Sequence, residues 1–399
     1  MEYVKLIEAC TKIGSGSTPK GGSSVYIDDG VSLIRSQNVH NLSFSYKGLS
    51  HITDESAYRL RSVTVYKNDV LINITGDSVA RTCIVPDDII PARVNQHVSI
   101  IRTDRKILNP QYLCYYLASP FMQATMLNYA TGKGASRNAM TKKMIGNFLI
   151  PCPSIFIQER IVNVLKKYDE LINNNNKRIS ILEQMADNLY KEWFVRFRFP
   201  GYKNVKFEEK KPRDWQVGTN DKKHYTPTSF TYGEFKNIGS FVRGKNITAA
   251  EMVEGEIPVI SAGIQPSGYH NEANVHGFSL TISASGANAG YLQYHMNDIW
   301  AADCSYFQDD EIIWFVYNTL KYLQPVISNL QCGAAQPHVY PKNINRLNIL
   351  IPTRELMKNY NDLVSPYYEE IRMLLQSNRL LIKQRDYLLP RLMSGRLEV

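Results

Sequence analysis

Two long stretches of this 399-residue chain repeat apolar residues at alternating steps of four and three. The first rises through Ile161, Leu165, Tyr168, Ile172, Asn175, Ile179, Leu182, Ala186, Leu189 and Trp193. The second rises through Tyr360, Val364, Tyr367, Ile371, Leu374, Asn378, Leu381, Arg385, Leu388 and Leu392. Such spacing lays one apolar stripe along a helix, the seam of a coiled coil. Each ladder has ten rungs and carries one asparagine, the fifth rung (Asn175) in the first and the sixth (Asn378) in the second. Antiparallel helices with matched ends bring those rungs to one level, and a buried seam asparagine fixes register at some cost in stability. Pairing is therefore expected between the stripe of Leu165, Ile172, Asn175, Ile179 and Leu182 and that of Ile371, Leu374, Asn378 and Leu381. The competing reading leaves both asparagines exposed where the helices weaken, because residues 173–176 are four consecutive asparagines. Pro366 is expected to kink the second helix or to start a new one. At about 1.5 Å per residue, 35 to 40 residues of helix span roughly 50 to 60 Å.

The rest of the chain alternates short apolar runs with glycine turns, and it does so twice. Leu6 to Gly16 answers Phe235 to Lys245, and Val31 to Val39 answers Ile257 to Gln265. Leu71 to Pro86 answers Leu280 to His295, both reading as strand, glycine turn, strand. Gly134 to Thr141 answers Gly333 to Tyr340, and Leu149-Ile150-Pro151 answers Leu350-Ile351-Pro352, at offsets of 199 and 201. The expected fold class is α+β: two pseudo-repeated mixed domains separated by two long helices packed as an antiparallel coiled coil. The segments are 1–150, a helical spacer 151–199, 200–350 opening on a linker at 200–231, and a second spacer 351–399.

Composition supports folded domains, with 44% hydrophobic and 21% charged residues. No run approaches the roughly 18 apolar residues that span a membrane, and MEYVKLIEAC lacks a signal-peptide core, so a cytoplasmic location and no membrane partner are expected. Cys10, Cys83, Cys114, Cys152, Cys304 and Cys332 lie far apart without ligand spacing; reduced thiols and no metal site are expected. The net charge of +9 is uneven. Residues 1–150 hold 17 basic against 11 acidic residues, whereas residues 200–350 hold 13 against 14. A basic excess favours a polyanion, through release of its counterions, and the argument applies to the first domain only.

Catalytic motifs do not assemble. Asn109-Pro110-Gln111-Tyr112 resembles the signature of amino-group methyltransferases but has Gln where the second proline belongs, and no glycine-rich cofactor loop precedes it; a helix start is expected. Asp87 with Asp104-Arg105-Lys106 mimics a nuclease pattern but reads as surface charge. Gly14 to Lys20 and Gly132-Lys133-Gly134 lack phosphate-loop spacing. The loops instead carry side chains suited to base edges and phosphates: Ser17, Thr18, Lys20, Arg35, Gln37, Asn38, Arg81, Lys133, Arg137 and Asn138 in the first copy. The second copy offers Arg243, Lys245, Gln265, Asn288, Gln336 and His338.

The elements GSGSTPK, GAAQPHVYPKNINRLNILIP, the helix QERIVNVLKKYDELINNNNKRISILEQMADNLYKEWF and the terminal IKQRDYLLPRLMSGRL resemble the specificity subunit of type I restriction-modification systems, across essentially the whole chain. The resemblance implies two target recognition domains, each reading one half of a bipartite site in double-stranded DNA. It implies helices that space the domains and dock two modification (methyltransferase) subunits, and restriction (motor-nuclease) subunits for cleavage. S-adenosylmethionine, ATP and Mg then belong to the partners, with no cofactor in this chain, which is expected to be non-catalytic by itself. Arg137 stands where the second copy has Gln336 in the family's G-x-x-Q loop, and Gly244-Lys245-Asn246 replaces the Thr18-Pro19 element. A coiled-coil protein-interaction scaffold is the competing reading, and it predicts no salt-dependent DNA binding.

Overall fold

The computed structural model describes residues 2–131, 139–210, 224–331 and 337–397. Contacts divide the chain into two units that cut across the four sequence segments: Met1–Asn174 with Ser377–Val399, and Asn175–Gln376. Each unit is thus one strand-rich domain with its own share of both long helices.

In the first unit, Tyr3–Lys5 pairs antiparallel with Leu149–Pro151, so the aliphatic-proline step is the strand that closes the domain on its own beginning. A four-stranded antiparallel sheet follows the order Cys10–Ser15, Val98–Thr103, Val70–Asn73, Thr82–Ile84. A second sheet sets Val31–Ile34 parallel to Ala92–Val94, flanked by Ser50–Ile52 and Thr64–Val65. The second unit repeats this plan. Thr231–Glu234 pairs with Asn348–Ile351; the main sheet runs Val242–Arg243, Cys304–Phe307, Ser279–Ser283, Leu292–His295; and Ile257–Ile260 lies parallel to Trp300–Ala301 beside Gly268–His270. Within the expected linker, Phe207–Lys210 and His224–Pro227 form an antiparallel pair.

The interior between the two sheets differs in kind between the units. In the first, Leu71, Cys83, Val85, Val98 and Ile100 meet Leu33, Val65, Ala92 and Val94 in an apolar cluster. Asp69 and Asn73 stand at the ends of that strand face, Asp69 held by Arg102 at 2.7 Å and Asn73 donating to the Ser36 carbonyl at 2.8 Å. In the second, the corresponding face of two strands carries Ser279, Thr281, Ser283, Gln293 and His295, while Cys304 of the third packs with Ile260 and Ala301 of the facing sheet. Thr281 shares a 2.7 Å hydrogen bond with His295 Nε2, Ser283 donates to the Ala262 carbonyl at 3.0 Å, and Gln293 donates to the Ile264 carbonyl at 2.7 Å. Burial pushes the His295 imidazole down to about 4.

The expected helices are present as Ile155–Tyr190, ending in a π-helical turn at Lys191–Val195, and Arg354–Met393. Every predicted rung is buried or half-buried, and Asn175 (8% exposed) and Asn378 (7%) overturn the reading that left them in solvent. In the second unit the Tyr360 hydroxyl donates to the Ala186 carbonyl at 2.9 Å and Arg178 pairs with Glu370, so the helical stretches run antiparallel. In the first, Leu389 and Leu392 share a core with Ile161 and Leu165, and Arg385 holds Asp169 at 2.8 Å. The break expected at Pro366 does not occur. Pro366 is exposed, as is Asp362, whose carbonyl the proline leaves without a helical partner and which water can therefore serve.

Each domain is pinned to its helix by one buried carboxamide. Gln158 Oε1 accepts from Asn109 N at 2.8 Å while its Nε2 donates to Ile107 O at 2.9 Å. Asn361 does the same in the second unit, accepting from Trp314 N at 2.9 Å and donating to Asp310 O at 2.9 Å. No helix among the described residues is long and apolar enough to cross a membrane.

Candidate nucleic-acid interface

In the first unit the chain leaves its first long strand through Gly16, whose N–H donates to Val98 O at 2.9 Å, and Ser17 N then donates to Val94 O at 3.0 Å. A Cβ at Gly16 would lie 2.1 Å from the Val94 carbonyl oxygen, so only glycine permits this crossing. Gly244 and Lys245 repeat it with Cys304 O and Ala301 O, both at 2.9 Å, and a Cβ at Gly244 would lie 2.5 Å from Ala302 O. Past this point three loop segments converge. Ile74 N bonds His97 O as Ala284 N bonds Asp303 O, and Thr75 bridges Ala139 as Ser285 bridges His338, so the junctions are built on one backbone.

Their side chains are not alike. In the first unit the Thr18 hydroxyl donates to the Gln96 amide oxygen. Gln96 Nε2 meets His97 Nε2 at 3.0 Å, and His97 Nδ1 meets the Thr75 hydroxyl at 2.5 Å. In the second, the Asp303 carboxylate pairs with Arg243 and accepts from the Ser285 hydroxyl. Beside it the Lys245 ammonium stands 5.8 Å from the Trp300 ring centroid, and His338 stacks on Tyr340 with centroids 5.9 Å apart.

Of the residues expected at an interface, Ser17, Thr18 and Lys20 are exposed around the first junction, and Arg81 is half-buried at the end of the adjoining turn. Arg35 and Gln37 both donate to the Gly48 carbonyl, at 2.8 and 2.9 Å, bracing a neighbouring loop. Asn38 is a correction: it is fully buried, accepts from Arg35 N at 3.0 Å and donates to Ser45 O at 2.9 Å, so its carboxamide ties the loop to itself and faces no base. Arg243, Lys245 and Gln265 are exposed, while Asn288 and His338 are half-buried. Lys133, Arg137, Asn138 and Gln336 lie outside the described residues. Gln96, His97, Thr75, Asp303 and Ser285 were not singled out from sequence, although each is central to its junction. Sequence similarity between the copies lapses between Pro86 and Gly134, so no repeated motif marks the connections bearing Gln96 and Asp303.

The decoy motifs resolve as local structure. Asn109 caps the helix Pro110–Ala118, accepting from Gln111 N at 2.9 Å and Tyr112 N at 3.2 Å. Asp87 pairs with Lys67 from a neighbouring turn, and Asp104 accepts from Lys106 N at 3.0 Å within its own turn.

A scaffold repeated twice, each copy gathering polar loops at one junction of its sheets, defines a protein of paired recognition modules. Residues 1–184 and 228–374 match the Type I restriction modification DNA specificity domain, and the chain belongs to that family. It is 26% identical to the type I restriction enzyme MjaIX specificity subunit of Methanocaldococcus jannaschii, over 99% of this chain and 93% of the relative. It is 21% identical to the type I restriction enzyme HindI specificity subunit of Haemophilus influenzae, over 92% of this chain and 94% of the relative. The crystal structure of a type I restriction-modification system S subunit from M. genitalium shares the fold, at a TM-score of 0.55 and 17% identity, covering 98% of this chain and 95% of that one.

Proposed function

We propose that the chain is the sequence-specific DNA-recognition subunit of a type I restriction-modification complex, each unit reading one half of a bipartite duplex site. The long helices set the gap between half-sites and dock two methyltransferase subunits, with restriction subunits joining for cleavage. The chain is non-catalytic by itself: S-adenosylmethionine, ATP and Mg are bound by the partner chains. The observation that carries this reading is the duplicated loop junction, one backbone with two sets of side chains, in a chain of this family. Two copies with unlike chemistry suit two unlike half-sites.

Long-read sequencing of methylated adenines, in a host expressing the methyltransferase subunit with and without this gene, tests it. A gene-dependent split motif with a fixed gap is expected. One heptad inserted into each helix is expected to change the gap and spare both half-sites. No gene-dependent methylation beside an active partner would return the chain to the protein-scaffold reading.

A further inference from the structure

We propose that Gln96 in the first unit and Arg243 in the second are the base-reading side chains of their domains, held at equivalent junctions by unlike partners. The inference rests on the reading that each domain binds duplex DNA, and it names the positions that separate the two specificities.

Gln96 is exposed, and both ends of its carboxamide are already fixed, the oxygen by Thr18 and the nitrogen by His97. A carboxamide has two N–H donors and two acceptor lone pairs, so one of each is left over. That remainder complements adenine, whose major-groove edge presents the N7 acceptor and the N6 donor. His97 is steadied in turn by Thr75, whose backbone is bridged to Ala139, so the amide is mounted on the end of a sheet. A side chain held in this way loses little conformational freedom when it meets a base.

In the second junction Asp303 takes the place of His97, its carbonyl accepting from Ala284 N as that of His97 does from Ile74 N, and the exposed side chain it holds is Arg243, from the strand end beside Gly244. Its guanidinium gives one N–H to Asp303, and Asp303 is itself fixed by Ser285. The donors that remain form a planar fork, which suits the O6 and N7 acceptors of guanine. An unpaired carboxylate beside a polyanion would be repelled, whereas paired with Arg243 it orients the fork and cancels its own charge. Asp303 is therefore a positioning residue. The first junction joins a hydroxyl, a carboxamide and an imidazole, and the second is built on an ion pair, on backbones that make the same hydrogen bonds.

The test uses the full chain with its methyltransferase subunit and a duplex library randomised at both half-sites, read by long-read methylation. Gln96→Ala is expected to lose roughly ten- to hundredfold discrimination at one base of one half-site, leaving the other unchanged. Arg243→Ala is expected to do the same in the other half. Asp303→Asn, which preserves size, is expected to relax the same base as Arg243→Ala. The untouched half-site reports, within each variant, that the chain is folded. If the parent chain yields a split motif and both alanine variants keep every base preference, or lose both half-sites together, the assignment is overturned while the function stands. If the parent chain yields no motif, the function falls and the assignment with it.

Discussion

The two units build the same pair of sheets around unlike interiors. Between the sheets of the first lies an apolar cluster in which Leu71, Val98 and Ile100 are wholly buried. Between those of the second, Thr281, Ser283, Gln293 and His295, each bonded to a neighbour, lie beside a small apolar cluster of Ile260, Val275, Ile299, Ala301 and Cys304. Strand order and register survive this exchange because the ladders are backbone bonds, and because each of those polar side chains has a partner. The other face of each main sheet stays apolar, with Val70 and Ile72 in one and Leu280 and Ile282 in the other. One apolar face is enough to fix which way a strand points. The interface between the sheets is then open to change in character, and the loops it supports can differ with it.

The comparison predicts equality where the backbones coincide and inequality where the interiors differ. All four tryptophans (Trp193, Trp215, Trp300 and Trp314) fall within the second unit's sequence, so tryptophan emission follows that unit alone while circular dichroism follows both. The largest effects are expected from Gly16→Ala and Gly244→Ala, about 3 kcal/mol or more each, because a methyl group would collide with a carbonyl oxygen. Denaturant melts should show similar losses, the first seen by circular dichroism and the second also by emission. Next, Leu71→Thr is expected to cost about 2 to 3 kcal/mol by placing an unpaired hydroxyl in the apolar interior. The reverse exchange, Thr281→Leu with His295→Val, should change stability by no more than about 1 kcal/mol, since both members of a bonded pair leave together. A large loss there would show that the polar interior is required rather than tolerated.

Smaller changes sharpen the picture. Gln158→Ala and Asn361→Ala should each cost about 2 kcal/mol by orphaning a buried N–H and a carbonyl, with emission responding to the second and not the first. A dependence on pH is also expected. The folded His295 takes up its proton near 4, below its ordinary 6.5, so burial favours the neutral ring and folding is fully supported above 6.5. As the pH falls from 6.5 through about 4 the unfolded chain gains a proton that the folded one refuses, and stability is lost. Allowing for the partial exposure of the ring, that loss is about 1 to 2 kcal/mol. It should appear in emission-monitored melts and vanish in His295→Gln.

Much of this was legible in the sequence. The ten-rung ladders fall on the buried faces because seven-residue spacing is a strong signal over so many turns. The closing strands at Leu149–Pro151 and Asn348–Ile351 follow from the repeated aliphatic-proline step. The polar interior was hidden by a slip of one residue. Sequence similarity sets Leu71 against Leu280, but the ladders set Leu71 against Thr281, since Asn73 and Ser283 accept the same turn bonds from Ala80 and Gly290. In a strand one residue exchanges the two faces, so the apolar residues of one copy were matched to the wrong side of the other. The loop junctions were missed for a related reason: their residues are brought together from separate loops, and no local spacing records that. Asn38 shows the converse, a side chain of the right type that the fold uses for itself.

The first unit is assembled from both ends of the described chain, whereas the second is one uninterrupted stretch. During synthesis the second unit therefore has all its residues in hand while the first still lacks Leu389, Leu392 and Met393, which its core buries. The domain whose synthesis begins first is the one whose core closes last.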